Sequence, residues 1–247
     1  QRVQAACSPR AGGLAYLMRW VWGLSAGLSF ASDAAAAAWG QNPGEWYVRA
    51  AFAAEDVEGL SATRYDAYAK FGIAPKWTAT AKAEIVQFQD QSPFDAEGYR
   101  ATIRREIVKR ERMVVALEGG AVYGGAFGGA PDGCDGLGAE ARVGAGFSGG
   151  WEKGRDWFAF ADVAARRYDT GCARTRYEFG YGARLSGRLH TVTQLWLERG
   201  GDNARSDKIE NALVYKFDTV EVSLAWREEI SGRFEESGVV LALSSHF

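Results

Sequence analysis

The feature that most constrains this chain is an alternation of apolar and polar residues that starts at Glu45 and continues to Phe247. Successive side chains of a β-strand point to opposite faces, so a period of two predicts strands with one apolar and one polar face. In the first such segment, the apolar face carries Trp46, Val48, Ala50 and Phe52. The pattern recurs about twelve times, in segments of roughly 9–12 residues, and therefore predicts an all-β fold.

The predicted strands exceed the roughly 5–6 residues that are usual in soluble sheets, and they match tilted transmembrane β-strands. The connections between them alternate in length. The shorter set comprises residues 74–75, 109–111, 149–153, 185–187 and 218, and the longer set comprises residues 54–61, 88–97, 124–137, 168–173, 199–206 and 229–236. This layout predicts an antiparallel up-and-down transmembrane β-barrel of about 12 strands, within a range of about 10–14, with both termini on the short-turn side.

The first 38 residues lack this alternation. Because the chain begins at Gln1 rather than at Met, residues 1–17 are predicted to be an upstream, non-native segment. A positive region, an apolar core and a run of small residues then follow in the order of a secretory signal peptide, at Met18–Arg19, Trp20–Phe30 and Ala34–Ala38. An ordinary N-terminal helix is the alternative. We predict a signal peptide over residues 18–38 and a barrel domain over residues 39–247.

Alternation alone does not decide which face points outward, because a soluble lipocalin-type barrel encloses its apolar face. Predicted export and aromatic residues toward strand ends favour an apolar exterior, since aromatic girdles mark membrane interfaces. These aromatic residues are Trp46, Trp77, Trp157, Phe217 and Trp226. The final strand places Val239, Leu241 and Leu243 at steps of two along one face, and Phe247 closes the chain on the same face. A soluble exported barrel or sandwich is the alternative.

The alternating strands, the predicted signal peptide and the closing Phe247 together resemble bacterial outer-membrane β-barrel proteins as a broad, porin-like superfamily. The resemblance covers residues 39–247 and does not extend to a characterised subfamily. It implies location in the outer membrane of a Gram-negative bacterium and contact with outer-membrane lipid. It also implies that the final strand is the assembly signal read by the barrel-assembly machinery.

The polar faces of the predicted strands carry charges of both signs, which an outward apolar face would enclose in the lumen. The residues we expect to line the lumen are Arg49, Arg64, Asp66, Lys82, Glu84, Arg100, Arg104, Glu118, Glu140, Arg142, Asp162, Arg176, Glu178, Glu210 and Arg227. Twelve strands lie between small barrels filled by side chains and large barrels with an aqueous channel. The charges therefore either form an ion-paired filling or line a narrow pore, and they indicate no preference for anions or cations.

The sequence gives little support for a catalytic, metal-binding or phosphate-binding site. The two histidines, His190 and His246, fall at the predicted periplasmic ends, and the position two residues after His190 holds Val192 rather than the Ser of outer-membrane phospholipases. Metal-ligand spacings are absent. The glycine-rich residues 119–138 lack the Lys-Ser/Thr ending of a phosphate-binding loop and are interpreted as a surface loop. We expect no catalytic residues, cofactor or metal.

Two cysteines, Cys134 and Cys172, fall in consecutive long loops on the same predicted side. An exported protein meets oxidising conditions, so a disulfide between them is expected. Two unpaired thiols are the alternative.

The net charge excludes one class of function. Lys+Arg 29 against Asp+Glu 31 gives a net charge of −2, without the basic excess that nucleic-acid binding needs. We therefore expect a small porin-like channel for small polar or charged solutes, without catalysis. A non-conducting structural or secretion-accessory barrel, for instance one that serves surface polysaccharide export with a partner bound at its loops, is the alternative. An enzyme ranks third.

Overall fold

A computed structural model describes residues 39–89, 92–126, 134–151, 155–201, 205–232 and 234–247. These residues form twelve antiparallel strands: β1 (Trp46–Val57), β2 (Leu60–Ala74), β3 (Trp77–Phe88), β4 (Ala96–Arg110), β5 (Met113–Gly124), β6 (Leu137–Trp151), β7 (Arg155–Tyr168), β8 (Ala173–Ser186), β9 (Leu189–Gly200), β10 (Arg205–Lys216), β11 (Val220–Gly232) and β12 (Glu236–His246). A 3-10 turn spans Ser92–Phe94. The predicted fold class and strand count are confirmed. The predicted signal peptide lies outside the described residues.

The sheet closes on itself because β1 pairs with β12 as well as with β2. The β1–β12 register runs from Tyr47 opposite His246 to Val57 opposite Glu236. Closure leaves no unpaired strand edge, so the backbone groups of every strand find partners within the barrel. Among the described residues, no helix is long and apolar enough to cross a membrane.

The two faces of the strands separate by polarity. Large apolar side chains such as Phe52, Leu117 and Leu224 are exposed on the outside, whereas charged side chains such as Arg104 and Glu118 are buried inside. This is the inverse of a soluble barrel, whose interior is apolar. Apolar residues outside and charges inside are the arrangement that a hydrocarbon environment requires.

The aromatic residues expected at strand ends follow that expectation with one exception. Trp46 and Trp77 are the first residues of β1 and β3, and Phe217 directly follows β10. Trp226, by contrast, is the central residue of β11, because this strand runs six residues further to Gly232. On β12, Val239, Leu241 and Leu243 point outward as predicted, next to the exposed terminal Phe247; their role as an assembly signal stays a prediction.

One predicted long loop is wrong. Residues 54–61 form no long loop, because β1 and β2 continue to a two-residue turn at Glu58 and Gly59. Both turn residues have positive φ, 54° and 78°, which is the conformation of the tight hairpin turn that matches strand twist. In the barrel, Glu55 instead points into the lumen and contacts Arg64.

Candidate functional site

The lumen collects the charged residues that the sequence assigned to the polar faces. All fifteen predicted lumen residues lie on the inner face of the wall. Nine are buried, namely Glu84, Arg100, Arg104, Glu118, Glu140, Arg142, Asp162, Glu178 and Glu210. Six are half-buried, namely Arg49, Arg64, Asp66, Lys82, Arg176 and Arg227.

A first ion-pair network lies where β12, β1, β2 and β3 meet. The Arg64 guanidinium is 2.8 Å from a Glu55 carboxylate oxygen and 3.4 Å from one of Glu236, and it also contacts Glu84. Arg227 extends the network, at 3.2 Å from Glu55 and 2.7 Å from Glu210. Each buried cation thereby has several carboxylates around it, which offsets the cost of removing its charge from water.

A second network lies on the opposite wall, centred on Glu140. Its carboxylate receives Arg166 at 2.5 Å, Arg100 at 3.3 Å and Arg142 at 3.4 Å, and Arg142 reaches Glu178 at 3.4 Å. Asp162 at 3.9 Å from Arg142 and Glu198 at 3.4 Å from Arg166 complete the group, so these three guanidinium groups have four carboxylates around them. Because guanidinium groups have five donors each, they retain capacity for a further acceptor.

The ion pair between Arg104 and Glu118 joins β4 and β5 at a cross-strand position. The nitrogen and oxygen are 2.5 Å apart, and both side chains are 2% exposed. Thr102 also donates to the Glu118 carboxylate. Removing one member of such a pair leaves the other charged and buried, which costs about 3–5 kcal/mol.

Between the networks lies a central cavity of about 100 Å³. Its lining residues are Arg49, Asp66, Tyr68, Lys82, Arg100, Arg142, Arg166, Arg176, Glu178, Gln194, Trp196, Glu210 and Arg227. Seven of these are cations and three are carboxylates. The Trp196 ring lies between two guanidinium groups, with its centroid 5.5 Å from Arg176 and 5.4 Å from Arg227. The cavity lining thus holds more cations than carboxylates, together with two aromatic side chains, Tyr68 and Trp196.

An apolar cluster occupies another part of the lumen. Phe158 and Phe160 of β7 point inward and pack with small and branched residues of β1 and β9–β12. Room for the two rings comes from β8, where a Cβ at Gly180 would lie 2.0 Å from Phe160 and one at Gly182 would lie 2.2 Å from Phe158. Sequence reasoning missed this cluster, although two glycines two residues apart on an inward face were a usable signal.

Residues 39–42, which precede β1, enter the barrel from the short-turn end. The Trp39 ring packs edge-on against Phe158, with centroids 6.3 Å apart. It also fills space above Gly146, where a Cβ would lie 2.7 Å from the ring. The Trp39 carbonyl accepts a hydrogen bond from the buried Lys70 ammonium at 3.1 Å. This end of the lumen is therefore occupied by the chain itself.

Two backbone amides hold the same segment in place. The Gly40 amide donates to Glu106 at 3.0 Å, and the Gln41 amide donates to the Thr78 hydroxyl at 2.9 Å. Both acceptors are buried side chains of the wall. The sequence indicated only that the barrel domain starts near Trp39, and nothing in its local pattern marked this residue as part of the lumen.

Several lumen acids were also absent from the predicted set, and four of them lie near strand ends. Glu55, Asp207, Glu229 and Glu236 all point inward and form ion pairs. Three of them lie in segments assigned to long loops, because the strands were predicted to end several residues too early. Each of these acids has a cation on another strand as its partner. Extending the predicted strands until such opposite charges come close together would have located them.

The remaining candidate residues lie apart from the cavity. His190 is inward-facing and buried at the second residue of β9, opposite Arg184. Within the described ranges, no group of three or more potential metal ligands comes together. Cys134 and Cys172 form a disulfide at the long-loop end, with Cα atoms 5.3 Å apart, and Arg174 donates to the Cys134 sulfur at 3.0 Å.

Comparison with known proteins gives the fold a context. No protein-family model and no curated protein sequence matches the chain. Among solved structures, the barrel is similar to the NanC porin (TM-score 0.58, 9% identity, 79% of this chain and 98% of that chain). It is also similar to an outer membrane channel from Pseudomonas putida F1 (0.54, 9%, 88% and 100%) and to a KdgM porin in complex with disordered oligogalacturonate (0.51, 8%, 81% and 99%). The chain therefore has the fold of small outer-membrane porins.

Proposed function

We propose that this chain is a small outer-membrane channel through which small polar or charged solutes pass, with a preference for anions. The fold shared with the NanC and KdgM porins and with the Pseudomonas putida channel supports a channel. The observation that carries the preference is the lining of the central cavity, where seven cations face three carboxylates.

The physical basis of the preference is the low dielectric constant of the surrounding wall. Charges enclosed by such walls focus the electrostatic potential and raise the local concentration of the opposite ion. Guanidinium groups bind carboxylates through paired hydrogen bonds. The Trp196 ring, placed between Arg176 and Arg227, adds an apolar surface for the body of an organic anion.

Passage requires the described lumen to widen. A cavity of about 100 Å³ holds only about three water molecules at their liquid volume of about 30 Å³. Arginine and lysine side chains have several rotatable bonds and can withdraw toward the wall when a solute replaces their carboxylate partners. At the short-turn end, Trp39 and its neighbours would also have to leave the lumen, since they fill it.

Planar-bilayer recordings test this proposal. We expect the purified chain to give discrete current steps, and the reversal potential in a KCl gradient to indicate anion preference. Arg176→Gln removes a cavity cation and should shift the reversal potential toward cations. Arg199→Gln removes a more exposed arginine of β9, which pairs with Asp207 outside the cavity lining, and should leave it unchanged. Cation preference in the unmodified chain, or identical potentials for both variants, contradicts the proposal.

A second candidate follows from the closed lumen. The small cavity and the segment at Trp39 are also what a non-conducting accessory barrel would have, with a partner bound at the long-loop end. An electrically silent chain that is nevertheless inserted and folded favours this role. Under either function, our proposal is solute passage or partner binding without catalysis.

The targeting of the chain completes the proposal. Residues 18–38 act as a cleaved signal peptide, and the mature barrel resides in the outer membrane of a Gram-negative bacterium. The outward residues Val239, Leu241, Leu243 and Phe247 serve the barrel-assembly machinery. N-terminal sequencing of the membrane-embedded protein tests the first statement, and a start well before residue 34 would refute it.

A further inference from the structure

The outer face of β3 departs from the bulky apolar surface around it. After Trp77, its outward residues are three alanines, Ala79, Ala81 and Ala83, and large side chains resume at Ile85. Ala81 and Ala83 form part of an apolar groove of about 900 Å³ on the outside of the barrel, and Ala79 lies directly below it. From Ala79 to Ala83 the strand spans about 13 Å, close to the ~15 Å depth of the hydrocarbon in one leaflet.

The neighbouring strands deepen this groove. At the level of Ala81 the flanking residues are Ala69 on β2 and Ala101 on β4, and at the level of Ala83 the flanking residue on β2 is Ala67. Each of these positions lines the groove. A depression of this kind in a lipid-facing wall is filled in the membrane by a hydrocarbon chain, which lies along it with more contact than on a bulky surface.

A cation lies below the groove on the same outer face, beyond Ala79. Arg105 points outward from β4 and is paired in register with Trp77, and its guanidinium lies 5.0 Å from the centroid of the indole ring. Within the described part of the chain, no carboxylate is within ion-pair distance of Arg105. A charged side chain on the lipid face without a protein partner is costly, because hydrocarbon cannot solvate it.

More positive charge surrounds Arg105 on the same rim. The turn between β2 and β3 exposes Lys76, and the end of β4 with its following turn exposes Lys109, Arg110 and Arg112. Glu111 is the only acid exposed in these two turns. By the alternation of turn lengths, this rim faces the periplasm, where the leaflet consists of phospholipids.

We propose that this groove and rim bind one anionic phospholipid of the periplasmic leaflet. Its phosphate accepts hydrogen bonds from Arg105 above the Trp77 ring, and one acyl chain lies over Ala79, Ala81 and Ala83. The turns supply further cations beside Arg105. This positive charge favours an anionic headgroup, such as that of phosphatidylglycerol, over a zwitterionic one. This inference is independent of whether the lumen conducts, because it concerns the outside of the barrel.

Native mass spectrometry of the purified full chain in detergent tests the site. With equimolar dioleoylphosphatidylglycerol and dioleoylphosphatidylethanolamine, we expect one retained lipid and a preference of about fivefold for phosphatidylglycerol for each cation that contacts it. Arg105→Gln should remove most of that preference, and Arg105→Lys should keep it. Arg188→Gln is the matched control, since Arg188 is an exposed rim arginine between β8 and β9 and pairs with Asp218 at 3.0 Å.

Two further arms separate the parts of the site. Ala81→Phe fills the groove and should lower retention of the lipid while Arg105 remains. Acyl-free glycerophosphoglycerol should not displace the bound lipid, because it lacks the chain that occupies the groove. Equal retention of both lipids by the unmodified chain, unchanged preference in Arg105→Gln, an equal loss in Arg188→Gln, or displacement by the acyl-free compound would overturn the proposal.

Discussion

Removal of the Trp39 ring is the sharpest test of how the lumen is closed. In Trp39→Ala the backbone hydrogen bonds of the segment persist, because they involve the Trp39 carbonyl and the amides of Gly40 and Gln41. What disappears is the ring that packs on Phe158 and fills the space above Gly146. The substitution therefore isolates the contribution of the side chain.

The magnitude follows from the void that the ring leaves. A buried tryptophan replaced by alanine costs about 3–5 kcal/mol, and Trp39 is only half-buried. A void of about 100 Å³ corresponds to about 2.4 kcal/mol at about 24 cal/mol per Å³. We therefore expect the free energy of unfolding to fall by about 2–3 kcal/mol. The void would be similar in size to the existing cavity of about 100 Å³.

Two measurements check this expectation. Urea unfolding in detergent, followed by tryptophan fluorescence, gives the stability change. Single-channel recordings should show larger conductance than the unmodified chain, because the short-turn end of the lumen is wider. The matched control is Trp226→Ala, which removes a tryptophan from the lipid face that is 49% exposed. Unchanged conductance and unchanged stability in Trp39→Ala would refute the role of the ring as the closure.

Other substitutions probe the wall and the loops. Cys172→Ser opens a covalent loop of 38 residues' separation and should cost on the order of 4 kcal/mol in urea unfolding, with no further loss on adding reductant. Gly180→Ala places a Cβ 2.0 Å from the ring of Phe160, whereas the new Cβ of the control Gly119→Ala has its nearest atom at 3.6 Å. Only Gly180→Ala should impair refolding, which would appear as a loss of heat-modifiable migration in electrophoresis. Glu118→Gln leaves Arg104 buried without its carboxylate and should lower the free energy of unfolding by about 3 kcal/mol; equal stability of this variant would contradict a buried, charged pair.

The architecture was accessible from the sequence because its signal is local. Alternation with a period of two is a property of each strand by itself, so twelve strands and their two faces could be predicted before any contact was known. The predicted export and the aromatic residues toward strand ends then assigned the apolar faces to the outside. The fifteen predicted lumen charges were found on the inner wall for the same reason. Errors appeared at strand ends, as at Glu55, where local propensity favoured a loop over a strand that a distant arginine stabilises.

Only the closed barrel decided which residues contact each other across the lumen. Arg227 reaches Glu55 across 172 positions of sequence, and this contact exists because β12 pairs with both β1 and β11. The entry of Trp39 into the lumen depends on the space above Gly146, more than one hundred residues away. Periodicity determines which side of the wall a residue occupies. Closure determines what it meets there, because a contact in the lumen joins strands whose separation in sequence carries no local signal.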